Sequence, residues 1–208
     1  MISKQDQEKG VLAKLLEKGI NILLKKECKE IVNLKIDILA TSFEIIKGIL
    51  HKITIKAEEI NYKNLFFDSI ELEANDVKIK LKINNNELKF EKDIIMKFKI
   101  SLSENSLKKI LLHSNWNWIS DLISHKILNE DKLENIKIEN NHILIKDKKY
   151  INQHNKINIK IKKGNLYLEN ELCNESIRIP IEDKIFFKDV SIENNLINIS
   201  AESSIDFI

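Results

Sequence analysis

From Lys52 onward the chain alternates: Ile53, Ile55 and Ala57 fall on one side, and Lys52, Thr54, Lys56 and Glu58 fall on the other. That two-residue period is the mark of a strand with one buried face. The stretch from Leu34 leads into it, and the two arms meet at Gly48, where Ile45, Ile46, Ile49 and Leu50 crowd a turn. Glycine permits a tight turn because it has no Cβ, but an apolar turn is unusual for a loop.

The same alternation continues. Ile70, Leu72 and Ala74 are followed by Val77, Ile79, Leu81 and Ile83, which predicts two strands, or one long strand broken at Asn75-Asp76. Asn84-Asn85-Asn86 reads as a turn, and Met96, Phe98, Ile100 and Leu102 give the next inward face. In the last third, pairs such as Ile143/Ile145, Leu166/Leu168 and Ile197/Ile199 predict an antiparallel meander over 133–205. Pro180, the only proline, should mark an edge or bulge.

Two segments have helical spacing instead. Within 1–30, Leu12, Leu15, Leu16, Ile20 and Leu23 recur at three- and four-residue steps, with Lys14, Lys18, Lys25 and Lys26 elsewhere on the wheel. A second helix starts at the N-cap Ser103 and carries Leu107, Ile110, Leu111, Ile119 and Ile123, with a kink or break expected near Asn115 and Asn117. On such a helix Trp116 and Trp118 cannot both face inward. Strands grouped around helices, without β-α-β order, predict an α+β fold: mostly antiparallel sheet with an N-terminal amphipathic helix and a central helix. No Pro/Gly/Ser-rich linker divides the 208 residues, so one domain over 1–208 is expected.

Charge changes little. The 34 basic and 32 acidic residues nearly balance, lysines alternate with apolar residues, and Arg178 is the only arginine. This is the pattern of a solvated sheet face and argues against nucleic-acid binding. Cys28 and Cys173 are far apart and form no CxxC pair. No secretory signal and no apolar run of about 18 residues is evident, so the expectation is a cytoplasmic protein, soluble or peripheral to a membrane.

Local motifs for chemistry are missing. With glycine confined to Gly10, Gly19, Gly48 and Gly164, neither a P-loop nor a dinucleotide fingerprint can be written. The five histidines stand singly, and no serine lies in GxSxG. The expectation is therefore a non-enzyme without metal or cofactor. What is left is the surplus of isoleucine and leucine on one face of many strands. Alternation leaves open whether helices fill that face as a core or a curling sheet leaves a slot for acyl chains.

The run FEIIKGILHKITIKAEEINYKNLFFDSIELEANDVKIKL, followed by FKISLSENSLKKIL, resembles the bacterial LmeA-like phospholipid-binding family, long catalogued as a domain of unknown function. The resemblance covers the segment 31–112 and lies in the order of parts: an apolar segment through IIKGIL, the strand KITIKAEEI, the Tyr62/Leu65 step, a second alternating strand, and a strand ending in Leu102-Ser103-Glu104 that opens a helix. His51 stands where many members have proline.

The resemblance implies a twisted antiparallel sheet similar to tubular lipid-binding domains, with an apolar groove and no catalytic residues. It implies phospholipid as the partner and non-catalytic binding or transfer as the function. The candidate groove residues are Ile45, Ile46, Ile49 and Leu50 at the turn, with Ile53, Ile55, Ile70, Leu72, Ile79 and Leu81 on strands. A cavity of at least a few hundred Å³ between sheet and helix is expected. Membrane contact would use the turn Ile45 to Leu50 or the lysine-bearing helix. The alternative is a protein-interaction or scaffold domain with a filled core.

Overall fold

Helix α1 (Val11–Glu27) forms on the apolar spacing above and ends in Lys25 and Lys26, favourably placed at the negative end of the helix dipole. In this computed structural model the described residues are 10–82, 87–90, 93–128, 133, 136–146, 154–171 and 175–205. The helix is shorter than the expected 1–30: strand β1 (Cys28–Leu39) begins immediately after it, and 1–9 lie outside the described residues.

A one-turn helix, α2 (Ser42–Ile46), interrupts what the sequence reads as a plain turn. Its cause is a capping box: the Thr41 hydroxyl accepts from Glu44 N, and the Glu44 carboxylate accepts from Thr41 N at 2.8 Å. Gly48 follows at φ +76°, where an added Cβ would collide with the Ile79 carbonyl oxygen. Its own carbonyl accepts from Ile79 N at 2.8 Å, so the turn is fastened to the strand beneath it.

Strands β2 (Ile49–Tyr62) and β3 (Leu65–Lys82) form a long antiparallel hairpin. It turns at Lys63-Asn64, with both residues at positive φ, as a two-residue type I′ connection requires. Asp76 sits at φ +52° and Glu59 at +48°, and at both places the apolar alternation shifts by one residue while the pairing stays in register. The break read at Asn75-Asp76 is this shift within one strand. After β4 (Glu87–Phe90) and β5 (Ile94–Ser103) comes α3 (Glu104–Leu112), capped by the Ser103 hydroxyl accepting from Ser106 N. Then come α4 (Asn117–Ile123) and a π-helical turn over Ser124–Leu128. The central helix is thus broken near Asn115, and both tryptophans are half-buried, so neither is left outside.

The expected meander over 133–205 divides between two sheets. Strands β6 (Ile136–Glu139), β7 (His142–Lys146), β8 (His154–Lys162), β9 (Asn165–Asn170) and β10 (Ser176–Arg178) make a five-stranded antiparallel meander with β10 at its edge. Pro180 follows that edge strand. Strands β11 (Ile185–Glu193) and β12 (Leu196–Ile205) return instead to the larger, seven-stranded sheet, whose order is β1-β2-β3-β5-β12-β11 with β4 paired to β3. The inner strand of that hairpin, β12, pairs with β5 across a long sequence separation, which local alternation does not encode.

Both sheets pack apolar faces together, with α3 and α4 closing one side. This cluster includes Leu102, Ile110, Ile123, Ile145, Ile157 and Ile197. A second cluster lies under α1, where Ala13 is fully buried against Ile38, Ile45, Leu50, Val77 and Ile79. Glu17 of α1 also accepts from Ile38 N at 2.8 Å, satisfying a donor on the edge strand β1.

Candidate functional site

The larger sheet has two chemically opposite faces. Cross-strand register aligns Ile36, Ile55, Leu72, Phe98 and Ala201 on one, and Lys35, Lys56, Glu71, Lys99, Ser200 and Asp189 on the other. The polar face is the concave one: all six strands in the path line a trough of about 670 Å³ there. Lys56 Nζ pairs with Glu71 at 2.9 Å, Asn33 donates to Glu58 at 2.6 Å, and Ser101 donates to Asn198 at 2.7 Å. These groups keep water close, although Ala57, Ile70, Ile100 and Ile199 also border the trough, so the candidate Ile70 lies on a mixed and not a wholly apolar lining.

The apolar hollow lies on the opposite face, between the two sheets beneath α3 and α4. Its volume is about 190 Å³ and its lining among the described residues is apolar. Leu102 and Ile197 contribute from the larger sheet, Ile143 and Ile157 from the smaller, and Leu111 and Ile123 from the helices. It is smaller than expected, and none of the ten candidate groove residues lines it.

Those candidates are dispersed. Ile45, Leu50 and Ile79 are 1–3% exposed in the cluster under α1, with Ile53 packed against it. With α1 lying over them, they pack as a core cluster in this structure. Ile46 points the other way and is 69% exposed, and Ile49 is half-buried. Ile55, Ile70 and Leu72 are half-buried and belong to neither cluster. The side chain of Leu81, like the Asn84-Asn85-Asn86 turn, lies outside the described residues.

Two polar contacts brace the smaller sheet behind the cavity. Asn170 is buried and donates to the Ile127 carbonyl at 3.4 Å and to Asn155 Oδ1 at 3.3 Å, tying the π-helical turn to the smaller sheet. On that sheet's outer face Glu169 accepts from both Lys160 and Lys162, whose hydrogen bonds hold its carboxyl down at about 2. At α2, hydrogen bonds from His51 and Thr41 hold Glu44 at about 2 as well, and the same contact raises His51.

Sequence reasoning missed the cavity residues as a set because each reads as an ordinary strand or helix core position. Among the described residues no group of three or more His, Cys, Asp and Glu could hold a metal, and no helix is long and apolar enough to cross a membrane. Comparison with family models, curated proteins and solved structures gives no match to this chain.

Proposed function

We propose that this protein is a non-catalytic binder of lipid acyl chains, carrying or presenting a phospholipid tail in the cavity between its two sheets. The observation that carries the reading is the wholly apolar hollow of about 190 Å³. A void of that size, lined by isoleucine and leucine, stays dry. Left empty, its lining side chains lack apolar partners on one side, which is unfavourable. An acyl chain entering the hollow supplies those missing contacts. Each buried methylene contributes about 0.8 kcal/mol.

None of the described lining residues can bond a glycerol or phosphate, so the headgroup stays outside and the cavity recognises the tail. A ligand of this kind comes from a bilayer, which makes the protein peripheral to a membrane in use. The full chain, purified without detergent and analysed by mass spectrometry, should release an acyl-bearing lipid. Protein that emerges empty and takes up no long-chain acyl probe would overturn the reading and leave a protein-interaction domain in its place.

A further inference from the structure

Helix α1 is apolar on two sides. Ala13, Leu16 and Ile20 face the cluster beneath it, yet Val11, Leu15 and Ile22 are 72%, 59% and 61% exposed. Their spacing of four and seven residues puts them on one outward stripe. Lys14, Lys18 and Lys25 run along one edge of that stripe and Lys26 along the other, all exposed. None of these four lysines has a hydrogen bond or ion pair among the described residues. The one carboxylate near the middle of the helix, Glu17, turns inward to Ile38 N.

The first turn of α1 abuts α2, where Leu12 N approaches Ser42 Oγ at 3.5 Å and a Cβ on Gly10 would lie 2.5 Å from the same oxygen. On α2, Phe43 is 64% and Ile46 69% exposed, with Lys47 Nζ 4.2 Å from the Phe43 ring centroid. The carboxylate there, Glu44, is occupied by Thr41 and His51. The two sets adjoin where α1 meets α2, as large exposed apolar side chains bordered by lysine ammonium groups.

We propose that this α1–α2 face docks on an anionic lipid surface, with the apolar stripe entering the headgroup boundary and the lysines meeting lipid phosphates. A helix with this distribution lies in the plane of the interface. A second copy of the chain fits poorly, because two-fold pairing of the same face sets lysines against lysines. The inference does not depend on the acyl cavity, which is lined by other residues.

The test is sedimentation of the full chain with vesicles of phosphatidylcholine alone or mixed with phosphatidylglycerol, at low and high salt. Binding should require phosphatidylglycerol and fall with salt. Lys14→Glu with Lys18→Glu should weaken it roughly tenfold or more. Leu15→Ser with Phe43→Ser should also abolish most of it, and both pairs should keep the wild-type melting temperature, since these side chains are exposed. Equal binding to both vesicle types, binding to neither, or a dimer dissolved by Leu15→Ser in protein that ignores vesicles would each overturn the proposal. Acyl lipid retained by these variants separates failure of docking from failure of the cavity.

Discussion

Two hollows lie on opposite faces of one sheet, and the larger is not the one suited to a lipid tail. The trough of about 670 Å³ is lined by lysine, acidic, serine and asparagine side chains together with Ala57, Ile70, Ile100 and Ile199, whereas the cavity of about 190 Å³ is lined by isoleucine, leucine and phenylalanine alone. Water can enter the first with no penalty, because its polar groups supply hydrogen bonds. Water in the second would lose its hydrogen bonds, so that space is empty or occupied by something apolar. The comparison teaches that strand alternation assigns the faces correctly but says nothing about which face a sheet curls toward.

The largest expected effect separates the two hollows directly. Ile145 is 1% exposed and lines the apolar cavity, so Ile145→Gln both loses apolar contact and leaves an amide without partners. A cost of roughly 3 to 5 kcal/mol in urea unfolding is expected, together with loss of bound acyl chain. Lys99→Gln in the trough should change stability by no more than about 0.5 kcal/mol and leave lipid content unaltered. Equal costs at the two positions would erase the contrast.

Acid should act on the far wall of the cavity. Two lysines hold Glu169 at about 2, below its ordinary 4.5, so the folded state binds fewer protons there than the unfolded chain. This contribution is fully present above about pH 4.5 and is lost as pH falls toward 2. The melting temperature should drop through that window, and Glu169→Gln should flatten that part of the profile. A profile unchanged by the substitution would remove the Lys160–Glu169–Lys162 belt as a support of the wall.

A smaller effect is expected at Leu72, half-buried and outside both clusters. Leu72→Gln should cost about 1 kcal/mol, because the amide still reaches water, and should not change lipid content. Loss of lipid in a folded Leu72→Gln protein would move the acyl site to the middle of the sheet, where Ile55 and Ile70 also lie.

Particular elements show what was legible. The facing of Ile53, Ile55 and Ala57, the N-cap at Ser103, the phase break near Asp76 and the edge position before Pro180 follow from local rules. Helix α2 was also within reach, since Thr41-Ser-Phe-Glu44 has the spacing of a capping box. The pairing of β12 with β5 was not, because residues so distant in sequence leave no local trace of contact. Nor could alternation tell that Ile45, Leu50 and Ile79 are sealed under α1 while Ile143 and Leu166 border a void. Packed and unpacked apolar faces have the same pattern, and the difference lies in what covers them.

Filling the void tests the central claim most directly. Ile143 lines the cavity on β7. In a close-packed core, Ile143→Phe would overpack and cost about 1–3 kcal/mol. Here the ring has space to enter, so the account predicts an unfolding free energy equal to or up to about 1 kcal/mol above wild type, with uptake of a long-chain acyl probe abolished. A destabilised Ile143→Phe protein, or one that still takes up the probe like wild type, would contradict it.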